Sequence, residues 1–140
     1  MDKRDISREL GQRTGENAEV TILFVDDDDI AFDVGREMLI QLGYRVFMAK
    51  SGKEALDLYK DCTDQIDLVI LDMIMPGMNG RETFERLKKI DPDTKVLVST
   101  GYSIDGEVRE ILDRGGNGFL PKPYGMNVLS QKVREVLNDT

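Results

Sequence analysis

Residues 20–29 read VTILFVDDDD, a short apolar run that ends in four consecutive aspartates. The apolar part, Thr21–Val25, predicts a buried β-strand. The sheet itself gains nothing from the carboxylates, because two unit charges about 5 Å apart repel by roughly 3 kcal/mol at an effective dielectric of about 20. A fold keeps such a cluster when a cation or a proton relieves the repulsion. The stretch therefore predicts a strand that delivers carboxylates to a binding site.

A second apolar run, Leu68–Leu71, also ends in a carboxylate, that of Asp72. Two parallel strands that end in aspartates bring them to one edge of a sheet, so that Asp26, Asp27 and Asp72 predict a divalent-metal site. Mg²⁺ is the expected ion and Mn²⁺ an alternative, since both accept carboxylate oxygens. A calcium EF-hand loop is not expected, because Ala31 stands where that loop requires glycine.

Short apolar runs and amphipathic stretches alternate along the rest of the chain, which predicts an α/β fold with a doubly wound, five-stranded parallel sheet. The predicted strands are Thr21–Val25, Tyr44–Met48, Asp67–Leu71, Thr94–Ser99 and Gly118–Leu120. The predicted helices are Ile30–Leu42, one opened by a capping box at Ser51–Glu54, one from Gly80 to about Lys89, Ile104–Arg114 and Gly125–Leu137. Residues 1–19 are polar and predict a mobile arm, which leaves residues 20–140 as the domain.

Composition excludes several classes of function. The formal net charge of −8 argues against a direct nucleic-acid surface and against docking to anionic lipid. No apolar run approaches the length of a membrane span, and Cys62 is the only cysteine, so we expect a cytoplasmic protein. The chain has no histidine, which excludes a histidine-ligated zinc site and a histidine-based catalytic triad.

Asp72 and two further residues, Thr100 and Lys122, fall at the ends of the predicted strands, where ligands bind in such sheets. Asp72 is positioned to attack phosphorus as a nucleophile, although aspartate also initiates turns. Thr100 offers a hydroxyl to a phosphoryl oxygen, although a local turn contact is the simpler interpretation. Lys122 lies between Pro121 and Pro123 and offers an ammonium that offsets phosphoryl charge, although most lysines are merely exposed. Asp28 or Asp29 is expected to cap the following helix.

Four motifs together resemble the receiver domain of two-component response regulators. They are Val25–Asp28, Leu71–Gly80, Ser99–Ser103 and Lys122-Pro123, in the order and at the spacing of that family, and the resemblance covers about Val20 to Asn138. It implies a flavodoxin-like fold with strand order 2-1-3-4-5. The Ser99–Ser103 and Gly118–Tyr124 runs are similar to receivers fused to hybrid sensor kinases.

The resemblance also implies a set of roles. Asp72 would accept a phosphoryl group from the phosphohistidine of a sensor histidine kinase or a histidine phosphotransfer protein. Asp27, Asp72 and the backbone carbonyl of Ile74 would bind Mg²⁺ directly, and Asp26 through water. Thr100 would be the switch hydroxyl, Lys122 the family's lysine, and Phe119 the aromatic residue that turns inward; on composition alone Phe119 is simply a core residue.

The function implied is a phosphorylation-activated signalling switch and not a turnover enzyme. Metal and Lys122 would neutralise the phosphoryl oxygens while Asp72 attacks, and the new charge would change the face formed by the fourth helix, fifth strand and fifth helix, where a downstream target would bind. No output domain follows before Thr140. We therefore expect a single-domain regulator, a phosphorelay intermediate or a receiver fragment of a larger sensor kinase.

Two alternatives stay open at this point. A haloacid-dehalogenase-type phosphatase would use Asp26, Asp28, Thr100 and Lys122, but it needs an acidic pair beyond the lysine and leaves Asp72 unexplained. A degenerate receiver would bind a partner without phosphorylation, although all the chemical positions are filled. A Mg²⁺-dependent reaction with a small phosphodonor separates the degenerate receiver from the main prediction, and turnover of a generic phosphate ester that survives Asp72→Asn would favour the phosphatase.

Overall fold

A computed structural model describes residues 19–101 and 106–138, and it contains five strands that alternate with five helices. The strands are β1 (Thr21–Val25), β2 (Arg45–Ala49), β3 (Leu68–Asp72), β4 (Val96–Thr100) and β5 (Gly118–Pro121). The helices are α1 (Asp29–Gln41), α2 (Gly52–Cys62), α3 (Gly80–Ile90), α4 (Gly106–Asp113) and α5 (Met126–Leu137). The predicted elements are all present, with bounds shifted by one or two residues.

The five strands form one parallel sheet in the order β2-β1-β3-β4-β5, which confirms the predicted doubly wound fold. Each crossover places a helix on one side of the sheet or the other. Side chains from α2, α3 and α4 pack on one side, and side chains from α1 and α5 pack on the other. Because both sides are covered, β1 to β4 are buried along nearly their whole length, as their continuous apolar sequences predict, whereas only Leu120 is buried in β5.

Side-chain caps fix where three helices begin. Asp28 accepts a hydrogen bond from the backbone N–H of Ala31, Ser51 caps α2 and Asn79 caps α3 in the same way. The sequence predicts either Asp28 or Asp29 as the cap of α1, and the structure assigns this role to Asp28. At the other end of α1, Gly43 adopts a φ of 94°, a conformation that a glycine takes without strain.

Ile30, Val34, Met38 and Leu42 form the apolar stripe whose helical spacing predicts α1, and the first two of them lie at the surface. Ile30 and Val34 are 75% and 45% exposed, whereas the fully buried positions of α1 are Gly35 and Leu39. A side chain at position 35 would collide with the ring of Phe24, so glycine lets the helix lie close to β1. The helix is confirmed, and Met38 and Leu42, the other two residues of the stripe, pack partly buried against the core.

Some predictions fall outside the described residues. The predicted arm, residues 1–19, is described only at Glu19, and the predicted start of the fourth helix at Ile104 lies in the gap between residues 101 and 106. No helix in the described ranges has the length and apolar character needed to cross a membrane.

Candidate functional site

A lysine links two buried aspartates at the carboxyl edge, defined as the edge of the sheet where the strands end. Lys122 Nζ donates to Asp26 Oδ2 at 2.7 Å and lies 3.4 Å from Asp72 Oδ1. Asp26 follows β1, Asp72 is the last residue of β3, and Lys122 follows β5. Residues far apart in the chain thus meet because three parallel strands end side by side.

Backbone N–H groups also hold these two carboxylates. Asp26 Oδ1 accepts from the N–H of Asp28 at 3.0 Å, and Asp72 Oδ1 lies 3.4 Å from the N–H of Ile74. The side chains are almost inaccessible, since Asp26 is 1% and Asp72 5% exposed. Burial of two carboxylates against one ammonium leaves an excess of negative charge in a region with little solvent.

The excess charge perturbs the acid–base behaviour of Asp72 and Lys122. Burial, together with the nearby charge of Asp26, raises the pKa of Asp72 to about 7, although Lys122 and the N–H of Ile74 oppose the shift. Burial alone would lower the pKa of Lys122, but its hydrogen bond to Asp26 and the charges of Asp72 and Asp26 outweigh burial and raise it. Without a further cation, the geometry does not favour full ionisation of Asp72 at neutral pH.

Asp27 completes a group of carboxylates whose geometry fits a cation. Asp26, Asp27 and Asp72 each offer one oxygen, and these three oxygens lie within 4.8 Å of one another. Hard divalent cations bind such oxygen ligands and keep several waters. Asp27 is the least buried of the three, so the group opens toward solvent. The predicted metal residues are therefore together, and Ile74, whose side chain is 57% exposed, follows Asp72 by two positions.

Thr100 and Phe119 lie on the strands next to this group. Thr100 ends β4 and is 3% exposed, and its carbonyl accepts the backbone N–H of Lys122 at 2.9 Å. Phe119 lies opposite Val98 in the β4–β5 register and packs, partly buried, against the cluster beneath α2, α3 and α4. The structure thus places all the sequence-predicted site residues at or beside the carboxyl edge of the sheet.

The sequence analysis assigned no chemical role to two residues that lie at this edge. Tyr124 is partly buried against the cluster beneath α1 and α5. Its burial, together with the charges of Asp26 and Asp72, raises the pKa of its hydroxyl. Ser99 is 2% exposed and lies directly opposite Asp72 in the β3–β4 register. The available signal was position: Tyr124 follows Lys122 by two residues, and Ser99 precedes Thr100.

An apolar depression lies beside the carboxylates, between α1 and the segment that joins β5 to α5. Its volume is about 240 Å³. The residues that line it include Ile30, Val34, Met38, Lys122, Pro123 and Tyr124. The exposed apolar residues of α1 therefore lie next to Lys122, which itself contacts both buried aspartates.

Sequence comparisons connect this geometry with known proteins. The sequence model of the response regulator receiver domain matches residues 22–134. Sensor kinase CckA of Brucella abortus is 33% identical over 130 residues, which are 93% of this chain and 14% of that protein. Response regulator MprA of Mycolicibacterium vanbaalenii is 37% identical over 121 residues, 86% of this chain and 52% of that protein. The chain therefore spans at most about half the length of these relatives.

Solved structures agree with the sequence matches. A chain of the CheX-CheY-BeF3-Mg complex from Borrelia burgdorferi superimposes with a TM-score of 0.81 at 26% identity, covering 86% of this chain and 90% of that one. The Mg²⁺-complexed receiver domain of the histidine kinase CKI1 from Arabidopsis thaliana has a TM-score of 0.75 at 27% identity, covering 86% and 96%. None of these matches points to the phosphatase alternative.

Proposed function

The chain belongs to the family of response regulator receiver domains, and we propose that Asp72 is its phosphoacceptor. The donor would be the phosphohistidine of a sensor histidine kinase or of a histidine phosphotransfer protein. One observation carries the proposal: three carboxylates and the ammonium of Lys122 meet at the carboxyl edge of the sheet, with Asp72 among them. An arrangement of this kind suits phosphoryl transfer, which depends on positioning and on charge neutralisation.

Asp26, Asp27, Asp72 and the backbone carbonyl of Ile74 would hold Mg²⁺, with Asp26 acting through water. The bound ion would neutralise phosphoryl oxygens and relieve the repulsion between the aspartates. The fit rests on the 4.8 Å limit that encloses the three carboxylate oxygens. We propose Mn²⁺ as a working substitute, because it accepts the same oxygen ligands.

Asp72 acts as the nucleophile in this proposal. One carboxylate oxygen forms a bond to phosphorus while the bond from phosphorus to the histidine nitrogen breaks, and the imidazole leaves. The ammonium group of Lys122 starts in contact with Asp26 and Asp72, and it turns to contact the incoming phosphoryl oxygens. Hydrolysis breaks the bond between phosphorus and Asp72. Water attacks phosphorus, the carboxylate of Asp72 is the leaving group, and inorganic phosphate is released. The chain works as a switch and is itself the species that is modified.

The phosphorylated state would be read through Thr100 and Phe119. The hydroxyl of Thr100 is drawn to the new phosphoryl oxygens, and Phe119 then occupies the space that Thr100 leaves. Phe119 lies on β5 and is only partly buried against the cluster beneath α4. The altered surface would be the face of α4, β5 and α5, where we expect a downstream target to bind.

The apolar depression beside the site supports a protein phosphodonor. Ile30 and Val34 are exposed on α1, next to Lys122, and an apolar surface of this kind is typical of a protein contact. A docked donor would present its histidine to Asp72 from this side. We place this encounter in the cytoplasm, where the buried thiol of Cys62 stays reduced.

Intact-mass measurement tests the assignment of Asp72. Wild type and Asp72→Asn are incubated with acetyl phosphate in the presence and absence of Mg²⁺. We expect one added phosphoryl group in wild type with Mg²⁺ and none in the variant, because the amide is not a nucleophile toward phosphorus. Asp57→Asn is the matched control, since Asp57 is exposed on α2 and is not part of the carboxylate group of Asp26, Asp27 and Asp72.

Two results would contradict the proposal. An adduct that persists in Asp72→Asn would place the modification on another residue. No adduct in folded wild type with Mg²⁺ and a small phosphodonor would favour a receiver that binds its partner without phosphorylation.

We also propose that residues 20–140 are sufficient for the reaction. Deletion of residues 1–18 should leave the amount and rate of phosphorylation unchanged, because that segment lacks the apolar pattern of a packed element. A large loss of rate or of folding in the deletion variant would show that the segment belongs to the domain.

A further inference from the structure

Ser99 points to the same side of the sheet as the proposed phosphoacceptor. Its Cα is paired with that of Asp72 in the parallel β3–β4 register. Residues paired across parallel strands project to the same side, and neighbouring strands lie about 4.8 Å apart. Ile70 and Leu97, two residues earlier on each strand, both pack in the cluster beneath α1 and α5, which fixes the side.

The hydroxyl of Ser99 is buried without a hydrogen-bond partner among the described residues. Ser99 is 2% exposed, and its Oγ is one of few buried side-chain polar atoms left in this state. A buried hydroxyl without a partner costs stability, and such groups in native structures ask for an explanation. The other interior positions of β4 are Val96, Leu97 and Val98, so an apolar residue would suit the strand better.

In the resting site, Asp72 has other donors, and Ser99 is not among them. Asp72 Oδ1 already faces Lys122 and the N–H of Ile74, and Lys122 is shared with Asp26. When a phosphoryl group arrives, Lys122 turns to the phosphoryl oxygens and leaves the acyl oxygen of Asp72 with one strong donor fewer. Ser99 lies on the adjacent strand, paired with Asp72 in the register and projecting to the same side of the sheet.

We propose that Ser99 donates a hydrogen bond to the carboxyl group of Asp72 during phosphoryl transfer. This inference rests on the proposed role of Asp72. In hydrolysis, water attacks phosphorus, the bond between phosphorus and the Asp72 oxygen breaks, and negative charge returns to the carboxyl group. A donor to that group is worth more as the charge develops than in the neutral acyl phosphate. Since the bond is absent in the resting state, Ser99 accelerates both gain and loss of the phosphoryl group.

Four proteins test the inference: wild type, Ser99→Ala, Ser99→Val and Ser99→Thr. The rate of phosphorylation by acetyl phosphate with Mg²⁺ and the rate of adduct loss after donor removal are followed by intact mass. We expect Ser99→Ala and Ser99→Val to slow both rates roughly three- to tenfold, the worth of one hydrogen bond. Ser99→Thr should stay near wild type, because it keeps the hydroxyl at nearly the volume of valine.

A melting curve of the unphosphorylated proteins separates this role from packing. Ser99→Ala should melt at the same temperature as wild type or higher, because it removes a buried hydroxyl that has no partner. Slower chemistry in a protein of equal or greater stability is a result that a purely structural serine does not produce.

Three outcomes would overturn the inference. Rates for Ser99→Ala within twofold of wild type would do so, as would equal slowing in Ser99→Thr and Ser99→Val. A lower melting temperature that accounts for the slower rates would assign Ser99 a packing role. Failure of wild type itself to form an adduct at Asp72 would instead remove the proposed function on which the inference rests.

Discussion

An aspartate lies at each end of β3, and the two carboxylates differ in how far the surrounding residues satisfy them. Asp67, just before the strand, accepts a hydrogen bond from the backbone N–H of Thr21 at 2.8 Å. Asp72, at the far end, is buried beside Asp26 and shares one lysine with it. The first carboxylate is satisfied by the fold itself. The second carries a charge that the described residues neutralise only in part.

Other polar groups at the amino edge, where the strands begin, follow the pattern of Asp67. Asn117 accepts the N–H of Val96 at 2.9 Å, and Lys88 donates to the carbonyl of Thr94 at 2.7 Å. Lys95 donates to the carbonyl of Leu137 at 3.0 Å. Backbone groups do not leave, so these contacts are permanent. The amino edge therefore contributes stability, whereas the carboxyl edge stores an electrostatic cost that a ligand can relieve.

Replacement of Lys122 by methionine should have the largest effect on stability. It leaves Asp26 and Asp72 buried without their ammonium, and we expect a loss of about 3 kcal/mol in unfolding free energy at pH 8 without Mg²⁺. Urea denaturation measures it. Lys95→Met is the matched control at the amino edge, with an expected loss of about 1 kcal/mol. Equal losses in the two variants would remove the distinction between the edges.

The pH dependence of stability should reveal Asp72 in the metal-free protein. Its pKa is about 7 when folded and 3.8 in the reference state, so the folded protein binds the extra proton between these values. The stability that the neutral carboxyl group provides is complete below about pH 4 and is lost as the pH rises through 7. We expect wild type to lose on the order of 2 kcal/mol between pH 5 and 8 relative to Asp72→Asn.

Urea midpoints at several pH values, with and without Mg²⁺, check this expectation. Parallel curves for wild type and Asp72→Asn would show that Asp72 is ionised without cost. Addition of Mg²⁺ at pH 8 should raise the midpoint of wild type more than that of the variant.

Asp67→Ala tests the amino edge directly. It removes the acceptor for the N–H of Thr21, and we expect a loss of about 1 kcal/mol in unfolding free energy that does not depend on Mg²⁺. The amount of phosphoryl adduct formed by the folded protein should equal that of wild type. A loss of adduct without a loss of stability would mean that the amino edge takes part in the chemistry.

Asp27→Asn should produce the smallest change in stability, and with the opposite sign. Removal of one negative charge from the cluster should raise the unfolding free energy of the metal-free protein by roughly 0.5 kcal/mol, since Asp27 is partly exposed. The same variant should form no phosphoryl adduct. An unchanged or lower urea midpoint would show that repulsion among the aspartates does not limit stability.

The sequence predicted the sheet well because its signals are local. Runs such as Ile22–Val25 and Val96–Val98 are apolar without alternation, which predicts parallel strands buried on both sides. The cap at Ser51 was equally readable, since serine is followed by Glu54 at the spacing of a capping box. The exposure of Ile30 and Val34 was not readable, because it depends on the close approach of Gly35 to Phe24.

The sequence predicted where the site residues lie in the fold, and it did not predict which side chains contact each other. Asp26, Asp72 and Lys122 could be placed at one edge from strand ends alone. That Lys122 bonds Asp26 more closely than Asp72 depends on side-chain geometry across 96 residues of chain, which no local pattern encodes. The orphan hydroxyl of Ser99 is likewise visible only once the β3–β4 register is known.

Gly80 gives the carboxyl edge a mechanical property. A side chain there would lie 2.6 Å from the Cα of Met73, so α3 begins in direct contact with the backbone that follows Asp72. Exposed ion pairs then join α3 to the end of α4. Arg81 Nη2 lies 3.2 Å from Glu110 Oε1, and Arg114 Nη1 lies 3.4 Å from Glu85 Oε1. We expect a displacement of the backbone at Met73 to move α3, and the ion pairs to transmit that movement to α4. Because salt weakens exposed ion pairs, we expect a higher ionic strength to weaken the coupling between movements of α3 and α4.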